Sequence, residues 1–332
     1  MEVNDMIIDK ASDAVTNYFF NLSSRLESNE FYLKLDGFNL ATSIKLKSAR
    51  QMLEALENEG NIKPERDVIV CSSSGNLAIA VSLLCKEKGY QAICVSDPNI
   101  LPVSKQYIRL YGAELIIVNE RDEMGGYLGA RLKLIDSLLE NNKNYHFLNQ
   151  YEDLNNIEAH YSTTAPEISK EFNKLDYLFV GAGTTGTLMG CVKYFKQYRP
   201  EVKVIGVDAK GSVTFPGEKP AARKIPGLGT STPPALADSS QLHDLVYVDE
   251  PATIRVCHEL VDQYALLVGG STGSVVSAVK QYEKKIGKDK VVVAISPDFG
   301  GKYLDTIYNQ AWVDDLLREK DSEEKIAEIR SL

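Results

Sequence analysis

Apolar positions along this chain fall into short continuous runs, separated by stretches in which they recur at helical spacing. From Asp67 onward one phrase repeats: an apolar run, a turn rich in small residues, then a helix-period stretch. DVIVC (67–71) predicts a buried strand. SSSGN follows, and Leu77, Ala80, Val81, Leu84 and Cys85 then keep helical spacing until Lys88-Gly89, where glycine stops the helix. AICV (92–95), ELIIV (114–118), YLFV (177–180), KVIGV (203–207), LVYV (245–248), ALLV (265–268) and VVVAI (291–295) predict further strands. A helix is expected to begin near Leu101-Pro102, with proline in its first turn. Others are expected at 125–141, 153–173, 186–198, 251–264 and 274–286.

Strands that are apolar throughout and alternate with helices indicate parallel sheets covered on both faces. The fold class expected is therefore α/β, with two lobes, each a mainly parallel twisted sheet flanked by helices, and a boundary near Asn149-Gln150. The segment before Asp36 does not follow the strand–helix alternation. Residues 209–240, rich in Pro, Gly and Ser, read as an irregular excursion. The tail DDLLREKDSEEKIAEIRSL reads as a charged amphipathic helix with a solvated face.

The composition narrows the class. In 332 residues, 44% are hydrophobic and 25% charged, the balance of a soluble globular protein with a core that needs no disulfide staples. The five cysteines form no C-x-x-C pair, and Cys71, Cys94 and Cys191 lie in or beside apolar runs, so a reducing cytoplasm fits better than secretion. The N-terminal MEVNDMIIDKASDAV lacks the apolar region of a signal peptide, and no apolar stretch reaches the length of a membrane span. A net charge of −9 argues against nucleic acid as a partner. The four histidines show no metal-ligand spacing, and no G-x-S-x-G elbow is present.

Ligands of open α/β folds sit beyond the carboxyl ends of the strands. Three segments expected there are rich in Gly, Ser and Thr: SSSGN (72–76), GAGTTGT (181–187) and GGSTGS (269–274). The second has the makings of an anion cradle: Gly181, Gly183 and Gly186 permit close backbone approach, and the N–H groups of Thr184 to Thr187 can face a phosphate. No P-loop lysine follows it. The same residues spell G-x-G-x-x-G, and Asp208 ends the next strand, so an NAD-dependent oxidoreductase is the rival reading. That reading leaves the other two loops without a role. Lys45 lies in NLATSIK (39–45), ahead of a helix marked by Ala49, Met52, Leu53 and Leu56. Such a lysine is ordinarily solvated, and its combination with the cradle and the SSSGN loop sets it apart.

In this order the motifs resemble those of the fold-type II PLP enzymes of the cysteine synthase group, a tryptophan synthase β-like architecture. An S-x-K, an S-G-N loop, a Gly/Thr phosphate loop and a G-[IG]-S-[ST]-G turn follow one another, and the resemblance runs from about Leu33 to Leu316. It implies pyridoxal 5′-phosphate as cofactor, with Lys45 forming the Schiff base and Asn76 bonding the ring hydroxyl. Gly183, Thr184, Thr185, Gly186 and Thr187 would bind the phosphate, and Ser271 would face the pyridine nitrogen. Ser73, Ser74, Gly75 and Asn76 would hold the substrate's α-carboxylate. A neutral hydroxyl at Ser271 makes the ring a weaker electron sink, which suits β-elimination better than transamination. A smaller, mobile domain (45–149), a larger phosphate-binding domain (1–44 with 150–332) and a homodimer are expected on the same basis. The chain departs from the group's N-P-x-G-S-x-K by losing the proline and glycine, lacks its T-P-L-V segment, and has Leu77 where threonine is common.

Within the group, residues 180–190, Gly125–Arg131, Asn149–Tyr151, Asp208–Val213, Pro226–Gly229 and Tyr303–Asp305 are similar to the N-(2-amino-2-carboxyethyl)-L-glutamate synthases of 2,3-diaminopropionate biosynthesis, found in siderophore and antibiotic pathways. That similarity implies β-replacement on O-phospho-L-serine, through an α-aminoacrylate, with L-glutamate as the amine nucleophile and Lys45 as general base. Arg131, a bidentate carboxylate binder by its chemistry, and Tyr151 are the candidates for holding the second substrate. Cysteine synthase or cystathionine β-synthase-like chemistry is the alternative within the group.

Overall fold

The computed structural model describes residues 8–330 except 61, 74, 123 and 124, with side chains described to residue 320. The strands, in chain order, are β1 (Tyr18–Asn21), β2 (Glu30–Leu35), β3 (Val68–Ser72), β4 (Gln91–Ser96), β5 (Glu114–Ile117), β6 (Tyr145–Leu148), β7 (Tyr177–Gly181), β8 (Lys203–Ala209), β9 (Asp244–Val248) and β10 (Val291–Ser296). The helices are α1 (Lys45–Asn58), α2 (Asn76–Lys88), α3 (Pro102–Leu110), α4 (Leu128–Asn141), α5 (Asn155–Ala159), α6 (Ala165–Glu171), α7 (Gly186–Tyr198), α8 (Glu250–Tyr264), α9 (Gly270–Ile286) and α10 (Gln310–Arg330). A π-helical turn, His160–Thr164, joins α5 to α6.

Two sheets result. The four-stranded sheet has the order β5-β4-β3-β6 and is parallel throughout. The six-stranded sheet runs β1-β2-β10-β7-β8-β9, parallel except for the antiparallel β1–β2 pair at its edge. The α/β class read from the sequence is thus the observed one, and the reason is visible in burial. Every residue of β3 and β10 is buried, so both faces must be covered and the strands read as continuous apolar runs. Phe31 and Phe179 are fully buried in the large sheet's core, each contributing about 1.5–3 kcal/mol of transfer free energy.

Two features differ from the sequence reading. ALLV (265–268) is not a strand. Ala265 turns out of α8 with φ 52°, and Val268 makes only an isolated bridge to Phe299. Its backbone is satisfied by one side chain instead: the Tyr308 hydroxyl donates to the Val268 carbonyl at 2.6 Å and receives its N–H at 3.1 Å. GGSTGS is not a turn either, since α9 begins at Gly270 and Ser271 lies in its first turn. The segment before Asp36 supplies β1 and β2, and β2 enters the large sheet beside β10 with Leu33 opposite Ala294. Strand β6 is a further addition, its YHFL run broken by His146, whose ring reaches Asp67 at 3.4 Å.

All five cysteines are free and buried, and burial pushes the Cys191 thiol up to about 12. No described helix is long and apolar enough to cross a membrane.

Candidate active site

A cleft of about 210 Å³ opens at the carboxyl ends of the strands, lined by Ser73 beyond β3, Gly181 at the end of β7 and Ile295 near the end of β10. Lys45, Ser73, Gly75, Asn76, Tyr151, Gly183 to Thr187 and Ser271 all face it. Most of the sequence candidates are therefore brought together, from five separate stretches of chain. Ser74 lies outside the described residues. Arg131 does not line the cleft: it is buried beside Tyr151, with a terminal nitrogen 3.4 Å from Asp97 Oδ2.

Lys45 is the first residue of α1, and its Nζ stands 3.4 Å from Thr184 Oγ1. No acidic side chain pairs with it among the described residues, and burial pulls its amine down to about 8. An amine so depressed is available as a nucleophile and base near neutral pH.

The loop before α7 forms a cup. Thr185 caps the helix with φ 68°, a conformation that a β-branched residue adopts only when its surroundings impose it. The 13-residue helix that follows leaves its first N–H groups unpaired at the cup, the arrangement that receives an anion. Thr185 Oγ1 is itself buried without a hydrogen-bond partner. A Cβ at Gly186 would sit 2.2 Å from Asn156 Oδ1, so any other residue here must displace the Asn156 side chain. Asn156 is fully buried and donates to Thr184 Oγ1 at 3.2 Å and to the Gln150 carbonyl at 2.7 Å. On the opposite wall, the Pro226–Gly229 turn presses in, and a Cβ at Gly227 would lie 3.1 Å from Ser271 Oγ.

Several residues in or behind the cleft were not among the sequence candidates. His160 has 0% exposure and joins three elements: Nε2 meets Ser48 Oγ at 3.0 Å and Thr187 Oγ1 at 3.1 Å, while Nδ1 meets Thr164 Oγ1 at 2.9 Å. Burial, with Lys45 and Lys47 nearby, holds its pKa well below the usual histidine range. Lys302 and Tyr303 also line the cleft, and burial followed by the Asp298 carboxylate drives the Tyr303 hydroxyl well above its ordinary value. No local signal marks His160, since two of its three partners, Ser48 and Thr187, lie far off in sequence; Tyr303 sat in a motif already singled out.

These residues fit a phosphorylated aldehyde cofactor: an anion cup with an orphaned hydroxyl, a depressed amine beside it, and a neutral hydroxyl across the cleft. They do not fit a dinucleotide. Asp208 is completely buried, burial raises it to about 6, and its Oδ1 accepts from the Ala209 N–H at 2.8 Å, leaving no approach for a ribose.

Comparison with known proteins agrees. The family model described as pyridoxal-phosphate dependent enzyme matches residues 17–298. O-ureido-L-serine synthase superposes with a TM-score of 0.85 at 27% identity, covering 92% of this chain and 96% of that one. A hydrogen sulfide-producing enzyme from Fusobacterium nucleatum gives 0.84 at 31% identity, over 90% of this chain and 100% of the other. The O-acetylserine dependent cystathionine β-synthase from Helicobacter pylori gives 0.83 at 25%, over 91% and 98%.

Proposed function

The chain belongs to the pyridoxal-phosphate dependent enzyme family, and we propose that it replaces the phosphate of O-phospho-L-serine with the amine of L-glutamate, giving N-(2-amino-2-carboxyethyl)-L-glutamate. The carrying observation is the Lys45 amine, depressed to about 8 and standing 3.4 Å from Thr184 of the anion cup. Similar structures include enzymes named for O-ureidoserine and cystathionine synthesis, which supports β-replacement as the reaction class.

When bound, the cofactor supplies the electron sink that stabilises negative charge at the substrate's Cα. The side chains then divide the work. Gly183 to Thr187 would hold the cofactor phosphate, Asn76 would donate to the ring hydroxyl, and Ser271 would be the neutral partner of the ring nitrogen. Ser73, Ser74, Gly75 and Asn76 hold the substrate carboxylate at the start of α2. Lys45 takes the proton from Cα, the Cβ–O bond breaks and phosphate leaves. The glutamate amine forms the Cβ–N bond and gives up a proton, and Lys45 returns a proton to Cα. Tyr151 on the cleft wall, backed by Arg131, is assigned to the second substrate. Residues 45–149 form the lobe that moves over the substrates in this reading. The protein works as a cytoplasmic homodimer, in the setting of 2,3-diaminopropionate synthesis.

The test is phosphate release from O-phospho-L-serine by the cofactor-loaded protein, with and without L-glutamate, beside Lys45→Ala. Glutamate-dependent release that vanishes in the variant supports the proposal. Turnover with sulfide or homocysteine in place of glutamate would retain Lys45 and overturn the acceptor.

A further inference from the structure

Asn76 is clamped from both ends. Its Oδ1 accepts from the Lys302 ammonium, and its Nδ2 donates to Asp298 Oδ2 at 2.8 Å. A carboxamide has a donor end and an acceptor end of nearly the same shape, and half a turn exchanges them. An ammonium only donates, and a carboxylate accepts, so these two neighbours admit one orientation of the amide and penalise the other. Asp298 Oδ2 is fixed in turn by the Tyr303 hydroxyl at 2.6 Å and by Lys302 at 3.4 Å. Lys302 is 8% exposed and reaches Thr42 Oγ1 at 3.2 Å, in the loop leading to Lys45. One amine thus ties together the loop before Lys45, the start of α2 and the segment after β10. Nδ2 carries two hydrogens; one bonds Asp298, and the amide also lies within hydrogen-bonding reach of the Tyr303 hydroxyl.

We propose that Lys302 is a positioning residue that fixes the orientation of the Asn76 amide on the cleft wall, holding its oxygen so that its N–H end is the one left to donate. The inference rests on the reading of Asn76 as a donor to the ring hydroxyl, and it assigns to Lys302 the task of keeping that donor in place. Without the ammonium, only the Asp298 carboxylate opposes rotation of the amide, and the orientation that presents its oxygen, an acceptor, to the ring oxygen becomes less costly. Lys302 touches neither the ring nor the reacting carbon in this scheme; it acts through Asn76.

The test is a double-mutant cycle read by cofactor binding rather than turnover. The apoproteins of wild type, Lys302→Met, Lys302→Arg, Asn76→Ala and the Met/Ala double variant are titrated with pyridoxal 5′-phosphate, following the visible absorbance of the lysine-bound cofactor. Lys302→Met and Asn76→Ala are each expected to weaken binding about tenfold, the scale of one lost hydrogen bond to a charged or strongly polar group. Lys302→Arg keeps a donor at the same place and restores most of the affinity. The double variant binds no worse than Asn76→Ala alone, because Lys302 has nothing left to orient. Independent losses that multiply to roughly a hundredfold would overturn the inference and leave Lys302 a general structural bond. Wild-type binding by Lys302→Met beside an impaired Asn76→Ala sinks the inference alone, whereas wild-type binding by Asn76→Ala sinks the reading of Asn76 and this inference with it. If the methionine variant does not fold, Lys302→Gln carries the same cycle, since a second amide cannot dictate the orientation of the first.

Discussion

Nζ of Lys45 and Oγ1 of Thr184 stand 3.4 Å apart across the cleft, joining the first residue of α1 to the cup that precedes α7. The contact puts a buried amine beside an anion recess with no carboxylate to neutralise it among the described residues, and two consequences follow for pH and stability. Attack on an aldehyde requires the neutral amine. With Lys45 held at about 8, the rate at which the apoprotein gains its visible cofactor band should rise with pH and reach half its maximum near pH 8. A rise that continues past pH 9 toward the ordinary lysine value of ~10.4 would show that the amine is not depressed. The native amine binds fewer protons than the unfolded one between about 8 and the unfolded value, so folding stability from this group increases with pH across that window. Below it the charged amine is a burden. Lys45→Met should therefore abolish the cofactor band yet raise the apoprotein's stability by about 1 kcal/mol at neutral pH, a discounted figure because the side chain keeps contact with cleft water.

His160 binds Ser48 of the lysine helix to Thr187 of the cup, with its ring fully buried. His160→Ala leaves hydroxyls on Ser48, Thr164 and Thr187 without their partner and opens a cavity. A loss of about 3 kcal/mol or more in urea unfolding is expected, with a smaller loss for His160→Gln. The ring is also a source of acid sensitivity. Its folded pKa lies well below 6.5, so the unfolded state takes up the proton first and stability falls as pH drops below about 6.5. The fall should be shallower in His160→Gln; an unchanged slope between pH 7 and 5 would remove His160 as its cause.

Gly186→Ala places a Cβ 2.2 Å from Asn156 Oδ1. Asn156 cannot yield without giving up its bonds to Thr184 and the Gln150 carbonyl. The substitution should cost about 1–3 kcal/mol in denaturant unfolding and weaken cofactor binding more than it weakens the fold. Gly301→Ala, where a Cβ meets nothing within 4 Å, serves as the neutral comparison.

Tyr151 faces the cleft while Arg131 stands beside it. Tyr151→Phe removes the hydroxyl without changing the wall's shape. If this pair serves the second substrate, KM for L-glutamate rises about tenfold. The first burst of phosphate from O-phospho-L-serine, measured in rapid-quench experiments, stays unchanged. Loss of the burst itself would move Tyr151 to the first substrate. Arg131→Met removes one partner of a buried pair with Asp97 and should destabilise the fold as well, by about 3–5 kcal/mol.

The sequence by itself determined the parallel α/β architecture, because strands buried on both faces must be apolar at every position, as β3 and β10 are. It also put forward Lys45, Asn76, the Gly183–Thr187 cup and Ser271 as one set of candidates through their order along the chain, and the fold brings them to one cleft. What the tertiary structure decided is which groups are left needing a partner once the sheets are packed. ALLV had the apolar pattern of a strand, yet the Tyr308 hydroxyl took the hydrogen bonds that a ladder would have used. Arg131 had the chemistry to grip a carboxylate, yet burial set it against Asp97 behind the cleft wall. The Lys302–Asn76 bond spans 226 residues and the Ser48–His160 bond 112, so neither leaves a periodicity or spacing that the chain itself displays. Local conformation follows from neighbours along the chain, whereas the partner of a buried polar group is chosen by whatever packing brings within about 3 Å of it.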